Sequence, residues 1–156
     1  QTWLFRSLDV VTFSDKKALR FSAKEIPLVR RSARGVRSIG GKTVEYVDGM
    51  TLVAGKDITD VVVVTKNGYL NRFNINALPQ SQRAKAGSSV VKLSKTDRIN
   101  SIHIVNQNDS IRLTTENGMT DIKVSELPTG SSISAGTKCI SGKDTVLKAM
   151  IVKIIK

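Results

Sequence analysis

Short runs of β-branched and apolar residues, each interrupted by a small polar turn, recur along the 156-residue chain. Val61–Thr65 stops at Lys66-Asn67-Gly68 and resumes as Tyr69–Phe73. Ser110–Thr115 stops at Glu116-Asn117-Gly118 and resumes as Met119–Val124. Asn-Gly between two β-prone runs predicts a hairpin, because both residues tolerate positive φ. The first run, Asp9–Phe13, turns at Asp15-Lys16 into Ala18–Phe21. Lys16 stands where the other turns carry glycine, so a turn of a different type is expected there. Each hairpin leads through a short polar stretch to Ile26-Pro27, Leu78-Pro79 or Leu127-Pro128. Proline cannot donate to a central ladder, so the chain leaves the sheet at these points. A polar loop follows, then predicted strands at Val36–Ile39, Ser89–Leu93 and Thr137–Ile140, and closing strands at Met50–Val53, Ile102–Val105 and Met150–Ile155. Helix signals are weak, with at most one turn at Ser22–Ile26 and its equivalents.

The pattern is a repeat. Pro27, Pro79 and Pro128 lie 52 and 49 residues apart, each is followed eight residues later by Gly35, Gly87 or Gly136, and four residues beyond stands Ile39, Val91 or Ile140. A period near 50 indicates an array with one supersecondary unit per repeat. The expected fold is all-β: about three four-stranded, propeller-like blades in an open arc, with approximate units at 9–56, 57–105 and 106–156. Nearly continuous Val, Ile and Leu in the strands calls for cover on both faces of each sheet, which stacked neighbours supply. Three blades do not close a ring, so the end blades are expected to expose apolar faces. With no initiator Met and an opening Trp3-Leu4-Phe5 patch, the chain reads as part of something longer. Trp3 and Phe5 are expected to pack against a neighbouring blade.

Charge adds a partner. Lysine and arginine number 25 against 13 acids, a formal net charge of +12. The three units carry +5, +4 and +2, with Arg6 supplying the remainder. A surplus in every unit suits a long polyanion that touches several of them. The single cysteine, Cys139, excludes an internal disulfide and points to the cytoplasm. No apolar run approaches the roughly 20 residues needed to span a bilayer.

Phe13–Phe21 with Arg30-Arg31-Ser32-Ala33-Arg34-Gly35-Val36-Arg37-Ser38-Ile39 resembles a repeat of the C-terminal domain of bacterial type IIA topoisomerase A subunits, those of gyrase and topoisomerase IV. Val62–Phe73 with Gln82–Gly87 is similar to a second repeat, and Ile111–Val124 through Gly136 to a more divergent third. The resemblance implies a β-pinwheel whose basic rim binds and bends duplex DNA. It also implies a parent ATP-dependent type II topoisomerase and a nucleoid-associated location. The partners it implies are the remaining A-subunit domains and the ATPase-bearing B subunit. Gyrase repeats carry a Gln-Arg-Arg-Gly-Gly-Lys-Gly box. Gln82-Arg83-Ala84-Lys85-Ala86-Gly87-Ser88 keeps only its Gln, its Arg and one downstream Gly. That departure favours topoisomerase IV, or a gyrase whose box lies in another blade.

Non-specific duplex binding requires cations spaced along a path of flexible loops. The Pro-to-Gly loops suit this. Arg30, Arg31, Arg34 and Arg37 fall within eight residues with no acid among them, and arginine forks match phosphate oxygens. Lys16, Lys17 and Arg20 join them in unit one, and Lys66, Arg72, Arg83 and Lys85 are the candidates in unit two. Unit three offers Lys123 and Lys138, its loop Thr129–Ala135 is uncharged, and it should contribute least. Taken singly, any one of these cations reads as a solvated surface charge. No catalytic set is visible: Tyr46 and Tyr69 lack clustered acids, and His103 has no second ligand at metal spacing. No Gly-rich phosphate loop precedes a Lys-Ser/Thr pair. Neither a cofactor, a metal nor a small-molecule substrate is expected. The competing reading is a propeller-type protein-interaction module whose loops dock an acidic protein.

Overall fold

The computed structural model describes residues 8–42, 44, 46–54 and 57–153. Trp3 and Phe5 lie outside them. Twelve strands follow in order: β1 Asp9–Ser14, β2 Lys17–Ser22, β3 Gly49–Val53, β4 Asp60–Thr65, β5 Tyr69–Asn74, β6 Gln80–Ser81, β7 Ser88–Ser89, β8 Ile99–Val105, β9 Ser110–Thr115, β10 Gly118–Lys123, β11 Thr137–Lys138 and β12 Val146–Val152. One-turn 3-10 helices at Ala23–Glu25, Ile75–Ala77 and Val124–Glu126 follow the three hairpins. Ser22 and Asn74 cap the first two through their side-chain oxygens. Each helix begins with a backbone N–H bonded to the residue ahead of its own first strand: Ala23 to Leu8, Ile75 to Thr59, Val124 to Asp109.

The three predicted hairpins are β1–β2, β4–β5 and β9–β10. Two of the turns place glycine at positive φ, Gly68 at 88° and Gly118 at 148°. In the first, Asp15 takes the positive φ, 55°, and Lys16 does not. An acidic side chain tolerates that region better than a lysine, so the different turn type expected from Lys16 is realised one residue earlier.

The blades are completed across unit boundaries. The sheets run β3-β1-β2-β6, with β7 also on β2; β11-β5-β4-β8; and β10-β9-β12. The outer strand of blade one is therefore extended by residues 80–81 and 88–89 of unit two, and that of blade two by residues 137–138 of unit three. The predicted strands Ser89–Leu93 and Thr137–Ile140 shrink to two-residue pairings on the preceding blade. Val36–Ile39 is not a strand; the chain there makes a single bridge, Gly40 to Ala86.

Apolar side chains collect in layers between the sheets. Val11, Phe13, Ala18 and Val53 of blade one meet Val61, Val63, Phe73, Ile102 and Ile104 of blade two. Val62, Val64, Leu70 and Val105 on the opposite face of blade two meet Ile111, Leu113 and Val146 of blade three. The repeat aliphatics are buried at these seams: Val91 in the first and Ile140 in the second, while Ile39 covers Val10, Leu19 and Phe21 on the outer side of blade one. Burying such side chains contributes about 1.5–3 kcal/mol each.

The outward face of blade three is mixed: Met119 and Met150 are exposed on it, paired in register with Thr114 and Arg112. Register and distance to the repeat proline align Val11 and Val62 with Arg112, Phe13 and Val64 with Thr114, and Arg20 and Arg72 with Asp121. Arg112 and Asp121 pair on this face, with Arg112 Nε 2.9 Å from Asp121 Oδ1. Arg112 and Thr114 thus stand where the other blades carry apolar residues facing the next blade.

Candidate nucleic-acid interface

Loops two and three, Pro79–Gly87 and Pro128–Gly136, are each stitched by backbone bonds to the segment that follows the preceding loop's glycine. Ala84 N donates to Ser38 O at 2.9 Å and Gly40 N to Lys85 O at 2.8 Å, joining loop two to the segment after Gly35. Lys92 N donates to Ser134 O at 3.0 Å, joining loop three to the segment after Gly87. The buried amide of Asn71 donates to Val90 O and to Ser131 O, both at 3.0 Å, anchoring both loops to β5. Along this row Arg30, Arg31, Arg34, Arg37 and Lys85 are exposed. Lys16 and Lys17 are exposed at the adjoining hairpin tip, where Val90 N reaches Lys16 O.

Three of the candidate arginines are engaged inside the fold. Arg72 Nη1 donates to Val124 O and Leu127 O, both at 2.9 Å, and Nη2 lies 3.4 Å from Asp60 Oδ2. Arg20 repeats this at the previous seam, with Nε 2.7 Å from Asp9 Oδ2 and Nη1 3.2 Å from Leu78 O. Each therefore latches its blade to the 3-10 helix or proline turn of the next unit. Arg83 donates from Nε to Glu25 O and from Nη1 to Arg37 O, while its backbone N–H reaches Glu25 Oε1. Lys66 is half-buried at the second hairpin turn, lining a 490 Å³ cleft with Asp15, Asp48, Arg98 and Glu116. The solvent-facing set is therefore Lys16, Lys17, Arg30, Arg31, Arg34, Arg37 and Lys85. Replacing Arg72 with Ala should cost about 3 kcal/mol in a urea melt, since two carbonyls lose this donor and the buried Asp60 carboxylate loses its cationic partner, keeping only the Thr59 hydroxyl. Replacing Arg112, whose pair with Asp121 is exposed, should leave the melt nearly unchanged.

The acids are largely occupied within the structure. Asp48 Oδ2 accepts from Asp15 N at 2.7 Å and Asp97 Oδ1 from Asn67 N at 2.9 Å, each pinning a hairpin turn. Asp144 is the third of the column; a bond from the Thr115 hydroxyl is the main reason its carboxyl sits below the usual range. This aspartate, one or two residues ahead of β3, β8 and β12, is a repeat signal that the hydrophobic pattern hides. Asp9, Asp60 and Glu25 are held by the contacts above, and Asp109 accepts from Asn106 N. Exposed cations therefore dominate the loop row.

Two further lysines belong with it. Lys92 and Lys138 are exposed beside Tyr69, with Lys138 Nζ 5.1 Å from the ring centroid and 2.8 Å from Asn67 O. Lys138 is legible in the sequence as a cation of unit three; Lys92 is not, because it follows the apolar Val90-Val91 pair. Among the described residues no three His, Cys, Asp or Glu side chains gather as a metal site, and no helix is long and apolar enough to cross a membrane.

Burial lowers the pKa of His103 from 6.5 to about 4, and its Nε2 lies 2.8 Å from Ser101 Oγ. The unfolded chain therefore binds the proton at a pH where the folded chain does not. Stability should decline as pH falls from 6.5 towards 4, by no more than about 3 kcal/mol. His103→Gln should flatten that decline in denaturant melts recorded across this range.

Interlocked antiparallel sheets of this size, stacked face to face with exchanged loops, define a propeller-type repeat fold shared with two solved structures. The C-terminal domain of DNA topoisomerase IV superimposes with a TM-score of 0.81 at 24% identity, covering 93% of this chain and 46% of that one. A DNA gyrase A C-terminal domain gives 0.76 at 19%, covering 90% and 49%. Residues 9–48 and 59–106 match the family described as DNA gyrase C-terminal domain, beta-propeller, and the chain belongs to that family. The gyrase A protein of Thermotoga maritima is 25% identical over 139 residues, 87% of this chain and 17% of the relative. The topoisomerase 4 A protein of Streptococcus pneumoniae is 28% identical over 110 residues, 67% of this chain and 13% of the relative. The chain thus spans under a fifth of these curated relatives and about half of the solved domains.

Proposed function

We propose that the chain binds duplex DNA without sequence preference and bends it along the loop row, as the C-terminal module of a type II topoisomerase A subunit. The observation that carries this reading is the exposed set Arg30, Arg31, Arg34, Arg37 and Lys85 on neighbouring loops joined by backbone bonds, with no acid between Arg30 and Arg37. Cations at repeated spacing meet phosphates by counterion release, which needs no base contact. Bending a site of about 20–30 base pairs costs several kcal/mol, and contacts distributed over several blades offset it. The chain would present a DNA segment to a cleavage core that it does not itself contain, in a parent enzyme powered by an ATPase subunit.

The test is binding of two linear duplexes of about 40 base pairs with unrelated sequences, labelled at their ends. Equal affinities, falling steeply with salt, and an end-to-end distance shortened on binding are expected. A large preference for one sequence, or binding to an acidic protein but not to duplex, would reject the reading.

A further inference from the structure

A slot of 280 Å³ opens beside Tyr69, lined by Tyr69, Lys92, Leu93, Ser94, Asp97 and Ala135. Its walls come from units two and three, both inside the chain, at the seam where Lys92 N bonds to Ser134 O. It is smaller than the roughly 300–1,000 Å³ of sites that hold drug-sized molecules, so it suits one ring system. Tyr69 is half-buried there, and Leu93 and Ala135 add apolar surface. A flat ring fits such walls, and aromatic side chains hold nucleobases by stacking. At the first seam Lys17 occupies the register position of Tyr69, so no ring stands at that position.

Charge and hydrogen bonding narrow the occupant further. Lys92 lines the slot, and Lys138 Nζ lies 5.1 Å from the Tyr69 ring centroid. Both lysines are exposed, as is Lys95 just beyond Ser94. Cations at the slot favour a ring that carries anionic groups over a neutral one. Asp97 Oδ1 accepts from Asn67 N at 2.9 Å and from Arg98 N at 2.8 Å. Its Oδ2 has no partner among the contacts described, so it is open to an amino group such as that of cytosine.

We propose that this slot takes an unpaired nucleobase, with the flanking phosphates on Lys92 and Lys138, so that the chain binds single-stranded DNA as well as duplex. The base packs against Tyr69, and Asp97 Oδ2 accepts from its exocyclic amine. A base inside a duplex cannot enter, because its faces are stacked and its pairing edge is taken. The single-strand site goes beyond the duplex reading and does not depend on it.

Fluorescence anisotropy of end-labelled oligo-dC and oligo-dT, each of about 12 nucleotides, tests this on the 156-residue chain, with a paired duplex measured alongside. Oligo-dC should bind about 5-fold more tightly than oligo-dT. Tyr69→Leu should weaken both single strands about 10-fold without changing their salt slope, and leave duplex affinity within about 2-fold. Tyr69→Phe should match the parent, and Lys138→Ala should flatten the single-strand slope by about 0.7. Asp97→Asn keeps a carbonyl oxygen for the two backbone N–H groups and turns the open oxygen into a donor, so the preference should pass from dC to dT. A thermal melt of each variant accompanies the titrations. Failure of both single strands to bind, or single-strand affinity indifferent to Tyr69→Leu and to Asp97→Asn, would overturn the proposal whether or not duplex is bound.

Discussion

Replacing Arg30, Arg31, Arg34 and Arg37 together with Ala is expected to weaken duplex binding about 100-fold at ~100 mM salt and to flatten the slope of log affinity against log salt by about 3. The four side chains are exposed on one loop, and each phosphate neutralised contributes close to one unit of slope. Stability should hardly change, because their guanidinium groups make no bond within the fold among the contacts described. Their fold contacts run through carbonyls, that of Arg37 accepting from Arg83 and that of Arg30 from Ala33 N, and both survive truncation. Fluorescence anisotropy over a salt series, beside a thermal melt, checks both halves. An unchanged slope would place the DNA on another face. The matching change in blade three, Lys123→Ala, should have a far smaller effect, since it lies on β10 and away from the stitched loops.

Gly87→Val should be strongly damaging although it lies away from the apolar seams, with a loss of about 3 kcal/mol and a melting temperature lower by about 10 °C. The reason is contact. A Cβ at this position would stand 2.7 Å from Ala18 O and 2.9 Å from Ile39 Cδ1, one a backbone atom and the other in a packed cluster. The φ of Gly87 is ordinary, so steric approach alone sets the cost there. Gly136 adds a left-handed backbone, φ 84°, to an equally close approach to Leu70, and Gly136→Val should be at least as costly. Gly35→Val has neither penalty, so the three variants form an internal control measurable by differential scanning calorimetry. Equal melts for all three would refute the account of loop docking.

The hairpins are legible in the sequence because their information is local. Val61–Thr65, Asn67-Gly68 and Tyr69–Phe73 specify strand, turn and strand through β-branching and backbone tolerance within about a dozen residues. The proline exits and the one-turn helices are legible for the same reason. The loop strands are shorter than their composition suggests. Ser89–Leu93 and Thr137–Ile140 have strand composition, yet the pairings there span only two residues each, Ser88–Ser89 and Thr137–Lys138, because the following residues turn inward and bury Val91 and Ile140 at a seam. For the candidate site, the exposed cluster from Arg30 to Arg37 is readable as a run without acids. Arg20 and Arg72 are indistinguishable from it by charge. Their signal is the aspartate at the start of the same hairpin, Asp9 or Asp60, which sits near them across the ladder in the folded sheet.

Composition, period and turn chemistry by themselves determined an all-β repeat, three units, their hairpins and a basic surface. They did so because strand pairing through a short turn and the sign of the net charge depend on neighbours in sequence. Only the tertiary structure decided which blade each loop completes, and which arginines latch blades and which face solvent. Every unit presents a similar edge and a similar loop, so pairing within a unit and pairing with the next one look alike in one dimension. The choice is made by packing: Gly87 and Gly136 fit against the carbonyls of the preceding blade, and Arg72 reaches carbonyls more than fifty residues away.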